Sequence, residues 1–171
     1  ILDGALDEDI WHGEHLLTKM LAGECNNIAK FDTYWDEDAL YVGISVKDSV
    51  VICDSSAVHQ DDSMEIYFDA DNCKGMEYCG GTRQLQLRCD GAVAVSGVDY
   101  ATKRTDDGYT MEVKIPWKTI GITPGENTVI GFDVANNDDD GTASGGRSGL
   151  LNWHNTVDSN FAYPKGYANL R

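Results

Sequence analysis

Carboxylates are the most abundant groups in this chain that could do chemistry. Asp and Glu number 29 of 171 residues against 13 Lys and Arg, for a formal net charge of −16. They gather in Asp-rich turns: Asp7-Glu8-Asp9, Asp36-Glu37-Asp38, Asp61-Asp62 and Asp138-Asp139-Asp140. Such clusters either lie solvated on turns or hold Ca²⁺, a hard cation that takes six to eight oxygen ligands. Glycoside hydrolysis would need two carboxyls held roughly 5–9.5 Å apart across a cleft, and no spacing here singles out a pair. The four His (His12, His15, His59, His154) lie in no nucleophile motif, and no G-x-S-x-G occurs. No catalytic residue is expected. Five cysteines (Cys25, Cys53, Cys73, Cys79, Cys89) form no C-x-x-C pair and no zinc spacing. Cys73 and Cys79 flank one loop that a disulfide could close, Cys53 with Cys89 is a second candidate pair, and the odd number leaves one thiol over. Disulfides imply an extracellular setting. The acidic balance disfavours a phosphate backbone or an anionic membrane surface, so neither nucleic acid nor lipid is an expected partner.

The elements that must position these groups follow the period of two that marks strands. Leu40–Val46 alternates. In Ser63–Asp69, Met64, Ile66 and Phe68 point one way and Glu65 and Tyr67 the other. Gln84–Arg88, Tyr109–Ile115, Val129–Ala135 and Gly149–Trp153 complete the series. Turn clusters such as Asp90-Gly91, Asp106-Asp107-Gly108, Pro124-Gly125 and Asp140-Gly141 separate them. Helix signal is confined to short turns near Trp117–Ile120 and around Leu16–Leu21. These features predict an all-β chain: one antiparallel β-sandwich, jelly-roll-like, spanning residues 1–171 as a single domain. Nothing approaches the ~18 apolar residues of a membrane span. The opening Ile1-Leu2-Asp3-Gly4 has no basic leader, so the chain reads as a module taken from a longer polypeptide.

Several segments carry a resemblance. Leu2–Trp11 (LDGALDEDIW) is similar to the opening signature of the family 9 carbohydrate-binding modules, which are β-sandwiches related to DOMON domains. Tyr34–Val42 (YWDEDALYV), Val46-Lys47-Asp48 and Asp62–Asp69 (DSMEIYFD) resemble successive strands of that family. So do Ile115-Pro116-Trp117, Ile130–Val134 (IGFDV) with Asn137-Asp138, and Trp153. The match runs the length of the chain in order. It implies a non-catalytic module that binds cellulose- or xylan-type polysaccharide, at chain ends in the reducing-end mode, and that targets an attached enzyme or scaffold. It also implies structural Ca²⁺, for which Asp7, Asp62, Asp69, Asp133, Asp138 and Asp140 form the ligand pool.

In that family a sugar lies between two indole rings, and here His59 and Phe161 stand at those positions. The four Trp (Trp11, Trp35, Trp117, Trp153) fall on framework positions and are expected to pack. The resulting set of sugar contacts is His59, Phe161 and Tyr163 for stacking, with Glu65, Gln86, Arg88, Asp158 and Asn160 for hydroxyls. A ring under the apolar face of a pyranose and paired donors and acceptors around its rim are what a sugar demands. Two other readings compete. Met64 with His154 could ligate haem in an electron-transfer domain of related fold, although a strand Met is ordinarily core packing. Alternatively, the domain makes protein contacts and has lost sugar binding.

Overall fold

A computed structural model describes residues 1–141 and 146–171. Among them are eleven strands: β1 (His15–Leu16), β2 (Lys19–Gly23), β3 (Ile28–Trp35), β4 (Ala39–Lys47), β5 (Ser63–Asp69), β6 (Thr82–Arg88), β7 (Asp99–Thr105), β8 (Gly108–Pro116), β9 (Ile130–Asp138), β10 (Gly149–Asn152) and β11 (Ala168–Leu170). One short helix, α1 (Trp117–Ile120), follows β8. The strands form two antiparallel sheets. The first runs β1-β3-β4-β8-β7; the second runs β2-β10-β9-β5-β6, with β11 pairing on β9. The sandwich expected from the alternation is therefore present, and α1 falls where the sequence placed a turn.

Alternate residues from both sheets meet in one core. Val42, Ile44, Val46, Met111, Val113 and Ile115 come from the first sheet, and Met64, Ile66, Phe68, Phe132 and Val134 from the second, all buried. Met64 belongs to this core, and its sulfur accepts a bond from Asn136 Nδ2. His154 is exposed, with its ring against Gly166 O, so the pair considered for haem shares no site.

Two expectations change. Leu16–Leu21 is not helical; it holds the last residue of β1 and the start of β2. Its apolar residues recur at helix-like spacing because the chain changes sheets there. Leu17 N donates to Ala29 O in the first sheet, and Thr18 N to Asn152 O in the second. The Trp residues also differ among themselves. Trp117 is buried and Trp153 packs edge-on to Phe31, whereas Trp35 keeps 44% of its surface exposed at the end of β3.

The strap of residues 1–14 lies over the outer face of the first sheet. Glu112 accepts from the backbone of Asp3 and Gly4, and Asp32 from that of His12, Gly13 and Glu14. Trp11 seats on Gly43, where an added Cβ would stand 2.5 Å from the indole. We expect Gly43→Ala to lift Trp11 and to cost about 1–3 kcal/mol, as overpacking does. Denaturant unfolding measures this, and an unchanged midpoint would refute it.

Cys53–Cys89 and Cys73–Cys79 are disulfide-bonded, and Cys25 is the free thiol.

Candidate functional site

The second sheet builds the site on its outer face. Strands β5 and β9 are buried along their whole length. Their inward residues enter the core, and their outward residues, Ser63, Glu65, Tyr67 and Asp69 on β5, form a polar layer. In register beside Glu65 stand Gln86 on β6 and the small Ala135 on β9. Residues 153–163 are held against this face by Asp133. Its carboxylate accepts from the backbone of Val134, His154 and Asn155 and from the carboxamides of Asn152 and Asn160. Tyr78 and Tyr167 hydroxyls both donate to Asn160 O at 2.8 Å. A loop held at so many points presents Asp158 and Phe161 in fixed places.

The outcome is an open groove of ≈ 430 Å³ lined by His59, Glu65, Tyr67, Gln84, Gln86, Arg147, Asp158 and Phe161. Phe161 is 58% exposed, a ring left facing water on the rim. Glu65 is 4% exposed. Its carboxylate collects donors from the Tyr67 hydroxyl, Gln84 (3.1 Å), Gln86 (3.3 Å) and Asn137 (3.2 Å). Burial pushes the Glu65 pKa up, while the amide donors from Asn137, Gln86 and Gln84 and the nearby Arg147 charge hold it down. Arg147 Nη1 donates to Asn137 Oδ1 at 3.0 Å, and its other amino group stands 3.8 Å from Asp158. Buried acceptor, amides, a guanidinium and an exposed ring together can meet both the rim and the face of a small polyol.

Of the sugar contacts expected from the sequence, the groove unites His59, Glu65, Gln86, Asp158 and Phe161. Arg88, Asn160 and Tyr163 lie outside its lining. Arg88 shares the face of Gln86, but at the strand end it is drawn away by Asp61 (3.4 Å) and Asp90 (2.9 Å). Asn160 is buried as a clamp, bonded to Asp133, Asn152 and Asn155. Tyr163 N bonds to Ser159 O in the turn, and its side chain is exposed without lining the groove. Three lining residues were not anticipated. Tyr67 and Gln84 could have been, since each lies two residues along its strand from an expected contact. Arg147 had no such signal, because it enters from the segment before β10. The site's cation thus comes from a different part of the chain than β6.

A second constellation lies near the ends of β4, β5 and β9. Carboxylate oxygens of Asp48, Asp62 and Asp138 fall within 4.8 Å of one another, and all three residues are buried. Asp48 Oδ2 and Asp138 Oδ1 have no hydrogen-bond partner among the described residues. Burial, followed by the charge of Asp48, pushes Asp62 up to about 8; burial and then Asp140 push Asp138 up to about 6. Asp48 is likewise raised, by burial first. Three crowded carboxylates, two of them with an unpartnered oxygen, offer the hard oxygen donors that a divalent cation takes.

From the expected ligand pool this unites Asp62 and Asp138, adds Asp48, and keeps Asp140 alongside, where Asp140 accepts from Asn26. Asp7 is exposed on the N-terminal strap and is not one of the clustered carboxylates. Asp133 is saturated with the donors that hold residues 153–160. Asp69 stands with Cys73 and Cys79, whose sulfurs are joined to each other and are not thiolate ligands.

The model of the carbohydrate family 9 binding domain-like family matches residues 2–171. The chain belongs to this family. The family 9 domain is 36% identical over 182 residues to endo-1,4-beta-xylanase A of Thermotoga neapolitana, and 31% identical over 178 residues to exoglucanase XynX of Acetivibrio thermocellus. The alignments cover 100% and 99% of this chain but 17% and 16% of those proteins. Its fold is that of a family 9 module from Caldicellulosiruptor kristjanssonii solved with glucose (25% identity) and with cellotriose (24%). The TM-score is 0.87 in both comparisons, over 100% of this chain and 90% and 88% of the others. It is a carbohydrate-binding module, and the family it joins is one of binding rather than catalysis.

Proposed function

We propose that this domain binds a neutral β-linked glucan or xylan in the Glu65 groove, carries no catalysis of its own, and tethers a larger extracellular protein to plant cell-wall polysaccharide. The observation that carries the reading is the Glu65 carboxylate, sunk in the groove among amide donors beside the exposed ring of Phe161. Glu65 orients the carboxamides of Gln84 and Gln86, these and Arg147 bond the hydroxyls of the rim, and Phe161 lies under a pyranose face. A neutral ligand also suits a chain of charge −16, which repels polyanions. The xylanase and exoglucanase names of the longer relatives support the polymer class and the tether. The two disulfides support an oxidising, extracellular setting.

The same proposal places a structural Ca²⁺ on Asp48, Asp62 and Asp138. Bound there, the ion would supply positive charge to crowded carboxylates and brace the strand ends they sit on.

Titration calorimetry with cellobiose and xylobiose, each beside its reduced alditol and in the presence of calcium, tests the reading. Binding of at least one sugar is expected, and Phe161→Ala should weaken it by about three- to tenfold, the value of one ring contact. A chain-end mode is read as loss of binding on reduction. Silence with every sugar, from a folded protein, would refute the assignment.

A further inference from the structure

Strand β6 is an edge of its sheet: among the described residues it pairs with β5 and with no other strand. Beyond that edge lies a second hollow of ≈ 360 Å³ lined by Val58, Arg83, Val93, Ala94, Val95 and Ser96, together with Gln84, Leu85 and Gln86. Gln84 and Gln86 therefore line both hollows. The short turn Val58–Gln60 borders both as well, offering His59 to one and Val58 to the other.

The outer wall of this second hollow is held in place. Tyr100 hydroxyl donates to Val93 O at 2.7 Å, Val98 N bonds to Val95 O, and Thr119 hydroxyl donates to Gly97 O at 2.6 Å. Arg83 is braced by a bond to Thr119 O. On the divide, each glutamine gives one bond from Nε2 to Glu65. Neither Oε1 receives a donor among the described residues, so both carboxamides keep capacity for a ligand. The outer edge of β6 adds backbone donors and acceptors that no strand among the described residues satisfies.

We propose that the two hollows are one binding groove, and that the domain grips consecutive sugars of a neutral polysaccharide chain laid across the edge of β6. This rests on the sugar reading of the Glu65 groove and extends it. The unit over Glu65 and Phe161 is held by its rim and one face. The next units are held over the divide by Gln84 and Gln86, and beyond it by Arg83, Ser96 and the β6 backbone. Affinity then depends on chain length, because a disaccharide seated at Glu65 leaves the outer hollow empty.

The test is a calorimetric series of cello- and xylo-oligosaccharides, from the disaccharide to the hexasaccharide, on the wild type and on Ala94→Leu combined with Ser96→Leu. Both residues are exposed, so added bulk fills the hollow without entering the core. In the wild type, affinity should rise by about tenfold or more beyond the disaccharide, the worth of one or two further hydrogen bonds. In the double variant that rise should vanish while disaccharide affinity stays. Equal affinity along the series in the wild type, or a rise that survives in the double variant, overturns the continuous groove and leaves the Glu65 site standing. Absence of binding to any oligosaccharide overturns both.

Discussion

Glu65→Gln is expected to weaken oligosaccharide binding by about 10- to 150-fold, because the charge-assisted bonds that hold Gln84 and Gln86 in the groove contribute about 1.5–3 kcal/mol. The geometry makes this substitution sharper than most. Four groups now point hydrogens at the Glu65 carboxylate: the Tyr67 hydroxyl and the amides of Gln84, Gln86 and Asn137. A Gln at this place keeps one oxygen but turns an NH₂ toward groups that are themselves donors. Gln84 and Gln86 must then rotate, and those two carry the divide between the hollows. The fold should persist, since Glu65 contributes nothing to the inter-sheet core. A melting temperature within a few degrees of wild type, with binding lost, is the result that separates site from scaffold. Affinity within twofold of wild type would refute the role given to Glu65.

Calcium should raise the melting temperature by about 5–10 °C at pH 8 when present at about a hundred times its Kd. That concentration contributes about 2.7 kcal/mol, and a domain of this size shifts about 2–4 °C per kcal/mol. The sign of the pH effect follows from the carboxylates. In the folded chain without the ion, Asp62 titrates near 8 and Asp138 near 6, both raised from 3.8. Folded protein thus holds more protons than unfolded protein between about pH 4 and pH 8. Its stability is greatest below that window and falls as pH rises through it. Calcium competes with those protons for the same oxygens, so its stabilising effect should be larger at pH 8 than at pH 5. Scanning calorimetry of chelator-treated and calcium-loaded protein at the two pH values measures this. Asp62→Asn should remove most of the calcium response while reducing the pH-dependent loss. Identical melts with and without calcium at pH 8 would refute the site.

The sequence by itself determined the layers. Strict alternation in Ser63–Asp69, Gln84–Arg88 and Tyr109–Ile115 can bury one face only as strands, so the sandwich and its core follow from the chain's own period. Alternation also set Glu65 and Gln86 on one outer face, because each stands between two residues that enter the core, Met64 and Ile66 on one strand and Leu85 and Leu87 on the other. Where that signal was absent, the reading stopped. Strand β7 (Asp99–Thr105) is polar and largely exposed, an edge strand that buries too little to show a pattern. Residues Leu16–Leu21 mimicked a helix because the chain there serves two sheets in turn.

Only the tertiary structure decided which polar residues share a site. Asp133 and Asn160 read as ligands from the sequence, and in the structure they bond to each other, since a buried carboxylate takes whichever donors the fold brings to it. Arg88 stood on the right face yet is held by Asp61 and Asp90, while Arg147, remote in sequence, is the guanidinium that lines the groove. Asp48, Asp62 and Asp138 meet only where three strands end together. Periodicity acts between neighbours along the chain, whereas these contacts depend on where loops return, and that is set by packing of the whole.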